Sequence, residues 1–135
     1  MQRKKLLICT IVGVMLLAVG HLPAQAVNLG KFAWQMEPNC EEIVFQVSQD
    51  NGVFALHGFQ RVPAPPACPE GPAILAAYGA ASPGPDGVIM LGFNIVFHDG
   101  NTFHVSAQLD PTTLNGPWSN TWGNTGELRF LGRVP

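Results

Sequence analysis

From residue 27 onward, apolar positions recur every second residue over short runs. No long stretch carries the spacing of an amphipathic helix. The runs are rich in β-branched and aromatic residues and are separated by Gly, Pro, Asn and Asp, the pattern of strands and turns. Eight strands are expected, at 31–36, 42–49, 53–59, 73–80, 88–97, 101–109, 118–122 and 127–133. Most connections are short, and a short connection joins antiparallel neighbours, so the product is a meander. Eight strands suffice to close it into a small up-and-down barrel without free edges. A two-sheet sandwich would use the same strands. The expected fold is all-β, with the barrel preferred over the sandwich.

Directly opposed residues share a face, which tests each hairpin for consistency. A three-residue loop His98-Asp99-Gly100, with Gly100 left-handed, pairs Ile95 with Phe103, Phe93 with Val105, Leu91 with Ala107 and Ile89 with Leu109. A two-residue Asp99-Gly100 turn mixes apolar with polar, so the longer loop is expected. In the last hairpin, a loop Asn124-Thr125-Gly126 pairs Trp122 with Leu128, Asn120 with Phe130 and Trp118 with Gly132. The first hairpin stays open between two registers. A two-residue Asn51-Gly52 turn puts Phe45, Val47, Phe54 and Leu56 on one face and turns His57 outward, whereas a three-residue loop Asp50-Asn51-Gly52 puts Phe45 opposite His57.

The first 26 residues do not belong to this fold. Arg3, Lys4 and Lys5 precede an apolar run at 6–20 whose one clearly polar member is Thr10, and His21-Leu22-Pro23 and Ala24-Gln25-Ala26 follow. That is the order of a secretory signal peptide with its cleavage site. The apolar stretch is at the low edge of the ~20 residues a spanning helix needs. The expectation is a signal peptide at 1–26 and one barrel domain at 27–135, secreted or periplasmic, with no membrane contact after cleavage. All three leader charges are basic, so the seven Lys/Arg and nine Asp/Glu of the chain become four against nine. An acidic chain with 12% charged residues is a poor partner for nucleic acid. Of the three cysteines, Cys9 falls in the leader; Cys40 and Cys68 are the expected disulfide of an exported domain. Five prolines, at 63, 65, 66, 69 and 72, make the segment around Cys68 a stiff loop.

Little in the chain speaks of catalysis. His57, His98 and His104 have no metal-ligand spacing, no serine stands in a nucleophile motif, and no cofactor or metal is expected. The aromatic residues are the better clue. Trp118, Asn120 and Trp122 alternate onto one face, with Phe130 opposite in the expected register, a combination of rings and an amide suited to a small apolar or sugar-like ligand. Tyr78 and His57 complete the set of candidate contacts. The strand at 88–97, from Val88 to Phe97, is apolar on both faces apart from Gly92 and Asn94, so Val88, Met90 and Val96 make an outer apolar patch expected to support self-association or a partner.

The residues 77–87, His98-Asp99-Gly100, 114–120 and 123–130 together resemble a class of small secreted bacterial proteins of unassigned function, over about the last sixty residues. Gly116-Pro117-Trp118 is also loosely similar to the Gly-x-Trp of calycin barrels, the lipocalin and avidin group. Those families carry the motif on the first strand, so the resemblance implies the barrel and transfers no ligand residues. Two functions follow. The first is a secreted, non-enzymatic binding or interaction module. The alternative is a small barrel isomerase resembling allene oxide cyclase or dirigent barrels, which requires a polar group inside, with His57, Tyr78 and Asn120 as candidates.

Overall fold

The computed structural model describes residues 26–39, 42–61 and 74–135. The expected leader, Cys40, Cys68 and the proline-rich segment therefore lie outside the described residues. Eight antiparallel strands follow one another in a meander: β1 (Val27–Glu37), β2 (Glu42–Asp50), β3 (Val53–Arg61), β4 (Ile74–Pro83), β5 (Ile89–Phe97), β6 (Thr102–Leu109), β7 (Gly116–Asn120) and β8 (Thr125–Val134). Each pairs with the next, and β8 returns to pair with β1, so the sheet is a closed barrel and not a two-sheet sandwich. Closure leaves no row of unpaired backbone groups along a free edge. Register shifts at Asn28/Gly30, Ala33/Trp34 and Ile74/Ala76 mark irregularities of the kind that bend strands around a small barrel.

The β5–β6 hairpin has the expected three-residue loop. Ile95 faces Phe103, Phe93 faces Val105, Leu91 faces Ala107 and Ile89 faces Leu109, with Gly100 at φ +86°. In the β2–β3 hairpin Asp50 pairs with Val53, which leaves Asn51-Gly52 as a two-residue turn. Both turn residues have positive φ, 50° and 79°, as the hairpin turn of matching twist demands. His57 therefore faces outward.

The last hairpin corrects the expectation. Trp118 pairs with Gly126 and Gly116 with Leu128, so the loop is Thr121-Trp122-Gly123 and not Asn124-Thr125-Gly126. Asn120 decides this locally, because its Oδ1 accepts from the backbone N–H of both Trp122 and Asn124, each at 3.0 Å. Gly123 takes the left-handed position at φ +84°.

Side chains of alternate residues fill the barrel. The most completely buried include Phe45, Phe93, Met36, Ile43, Ile95, Leu128 and Val105. Phe45 and Phe93 meet edge to face with centroids 5.2 Å apart, and each lies opposite a glycine, Gly58 and Gly79. At Gly58 an added Cβ would come within 2.7 Å of the Phe45 ring. Large rings set against bare backbone are how so narrow an interior accommodates two phenylalanines.

Candidate functional site

The two ends of the barrel differ. One carries the β5–β6 and β7–β8 turns, and an aromatic cluster covers it. Trp122 packs on Phe103 at 4.9 Å and on Phe97 at 6.2 Å, although more than half of its surface stays exposed. The other end carries the Asn51-Gly52 turn, the 84–88 connection and the β6–β7 loop. Beneath it lies a cavity of about 170 Å³ lined by apolar residues alone, among them Phe32, Trp34, Phe45, Phe54, Leu56 and Leu114. The remaining wall comes from β4, β5 and β6 through Ala81, Leu91 and Leu109. A larger groove crosses the outside of β4 to β8 over Gly92, Ser106 and Ser119, but it is open to solvent. The cup, whose lining is wholly apolar where that of the groove is mixed, is the candidate site.

Alternation builds the cup. Phe32 and Trp34, Phe45 and Val47, and Phe54 and Leu56 are two-residue steps on β1, β2 and β3, and the Asn51-Gly52 turn brings the last two pairs to one face. Trp34 meets Phe45 at 6.1 Å and Phe130 at 5.0 Å. No buried side-chain polar atom lacks a partner among the described residues. The Trp34 indole N–H donates to the carbonyl of Leu114 at 2.9 Å, so the cup wall is tied to the loop above it.

That loop, residues 110–115, is held by the Asp110 and Asn115 side chains as well as by its own backbone. Asp110 Oδ1 accepts from the N–H of Thr112 at 2.8 Å and of Thr113 at 2.9 Å. The Leu114 N–H donates to the Asp110 carbonyl, and the Phe130 N–H donates to Asn115 Oδ1 at 2.7 Å. The result is Leu114 at φ +60°, a conformation a branched side chain rarely adopts, with its isobutyl group against the cavity. The Thr113 and then the Thr112 N–H hold the Asp110 carboxyl below its ordinary value. Because the folded pKa is the lower one, this capping is complete above the usual aspartate value of about 3.9 and is lost as pH falls through the folded pKa. A carboxyl NMR titration should place Asp110 below the ordinary aspartate range, with the Thr112 and Thr113 amides losing exchange protection over the same acid window. Titration at the ordinary value would contradict the capping.

The structure disperses the six residues singled out in the sequence. Trp118 is buried in the core, and its indole N–H donates to the carbonyl of Glu37 at 2.9 Å, away from the cup mouth. Asn120 caps the β7–β8 turn and Trp122 forms its tip. His57 and Tyr78 are opposed on neighbouring strands, both exposed on the outer face. Phe130 alone approaches the cup, as the ring behind Trp34. The alternation of Trp118, Asn120 and Trp122 needs a strand at 118–122, but β7 runs two residues earlier, Gly116–Asn120, and leaves Trp122 in the turn and off that face. Phe32, Trp34, Phe54 and Leu114 were missed. Their alternation was visible, but a gap left between alternating side chains is a property of the closed barrel. The outer face of β5 leaves Met90 exposed and Val88 and Val96 half-buried. No group of three or more potential metal ligands occurs among the described residues. Comparison with protein-family models, with curated proteins and with solved structures finds no match for the chain.

Proposed function

We propose that this protein is a binding module that holds a small apolar ligand inside the barrel, exported from the cytoplasm by its leader. The observation that carries this reading is the 170 Å³ cup with its wholly apolar lining beneath a hydrogen-bonded loop. An apolar cavity of about 150 Å³ takes up benzene, so the cup suits a body of about six carbons. The strand number and meander order agree with the loose calycin resemblance, and eight-stranded barrels of that kind hold single small ligands. The apolar interior favours binding over an isomerase, whose chemistry requires a polar group facing the substrate.

Trp34 is a built-in reporter. Toluene or 1-hexanol is expected to shift tryptophan emission saturably. Ala81→Phe, which puts a ring into the cup, should abolish that shift while leaving the melting temperature unchanged or higher. A folded Ala81→Phe protein with undiminished binding would place the ligand elsewhere.

A further inference from the structure

At the cup's rim, Arg133 of β8 lies opposite Phe32 of β1. Its guanidinium carbon stands 6.0 Å from the centroid of the Phe32 ring, the ring that lines the cup. The guanidinium also lies across Gly30, where an added Cβ would come 2.9 Å from one of its nitrogens. Gly30 sits at the β1 irregularity with φ +109°, so bare backbone and an aromatic face together seat the cation. Two other arginines are spent on ion pairs, Arg61 with Glu42 at 2.7 Å and Arg129 with Glu37 at 2.8 Å. Arg133 forms no ion pair among the described residues.

We infer that the ligand of the cup is an amphiphilic anion, an apolar body of about six carbons carrying a carboxylate that Arg133 receives at the rim. This rests on the proposed reading of the cup. The chemistry has two parts that the structure keeps apart. The cavity offers an inserted body no polar contact, and a polar group carried into it would lose its water without replacement. A head group must therefore stay at the mouth, and the planar guanidinium matches a carboxylate through two parallel hydrogen bonds. Packing on Phe32 orients the fork before a ligand arrives, which lowers the ordering required on binding. Lys31, exposed on the neighbouring strand and paired with Val134, adds a second positive charge at this seam. Of the acidic side chains at the same barrel end, Asp50 closes β2 at its turn opposite Val53, Asp86 lies in the 84–88 connection, and Asp110 is occupied by its own loop.

The test is a calorimetric titration of the protein at neutral pH with hexanoate and with 1-hexanol, which share an apolar body and differ in the head. Hexanoate is expected to bind about tenfold tighter, in line with a hydrogen bond to a charged group. Arg133→Gln should remove that preference while changing 1-hexanol affinity by less than about twofold, and Arg133→Lys should restore part of it. Binding of 1-hexanol with no advantage for hexanoate, or an advantage that survives Arg133→Gln, overturns the assignment of the head group and leaves the cup reading intact. Failure of both probes to bind or to move Trp34 emission overturns the cup reading and this inference together.

Discussion

Phe93→Ala is expected to destabilise the barrel by about 3–5 kcal/mol, the range for deleting a buried aromatic side chain. The upper part of that range is expected here because the site collapses poorly. Phe93 is fully buried on β5, edge-on to Phe45, and the residue facing it on β4 is Gly79, which has no side chain to move into the void. Small domains are stable by about 5–15 kcal/mol in all, so the variant should unfold at a far lower denaturant concentration. A loss under about 1.5 kcal/mol by chemical denaturation would show that the interior repacks freely and that Phe45 and Phe93 are not its centre.

Gly126→Ala should be nearly as damaging although it adds one methyl group. The new Cβ would fall on the carbonyl oxygen of Glu37 and within 2.7 Å of the Trp118 indole nitrogen. It would therefore occupy the space in which Trp118 donates to Glu37, on the strands that close the barrel. Overpacking costs about 1–3 kcal/mol, and a buried donor left without its acceptor about as much again. A change in the near-ultraviolet circular dichroism of Trp118 should accompany the loss. In the Trp118→Phe background the same substitution should cost less, because the hydrogen bond is already gone. An unchanged midpoint for Gly126→Ala would rule out the close approach.

These two sites show which features the sequence carried. The β5–β6 register was legible because the three-residue loop brings Ile89, Leu91, Phe93 and Ile95 onto one face with Leu109, Ala107, Val105 and Phe103, and the one-residue slip to a two-residue turn exposes the whole set. The closed barrel followed from short connections and from the edges that closure removes. The β7–β8 loop was misplaced because two segments, Thr121-Trp122-Gly123 and Asn124-Thr125-Gly126, both end in the glycine a three-residue loop needs. What separates them is the Asn120 cap together with the packing of Trp122 on Phe97 and Phe103, residues of another hairpin. A tryptophan at a turn tip is stabilised there by a surface that local pattern does not contain. The cup was hidden for a related reason. Alternation says which side chains point inward, whereas the space left between them depends on how eight strands and the left-handed Leu114 come together. Arg133 was equally silent in the sequence, since its place beside Phe32 depends on the seam between the first and last strands.

That seam has a kinetic consequence. Seven of the strand pairings join consecutive segments, six of them across connections of two to six residues and β3–β4 across residues 62–73, but the pairing of Trp34 with Phe130 waits until nearly the whole domain has been gathered. The entropy of closing a loop grows only slowly with its length, yet it must be met before the long-range contacts repay it. An open meander carrying two bare edges, at β1 and β8, is therefore the species from which chains would add to one another edge to edge. Refolding yield should fall with protein concentration for as long as that species lives, and substitutions confined to the β1–β8 contact should change its lifetime more than those in any single hairpin.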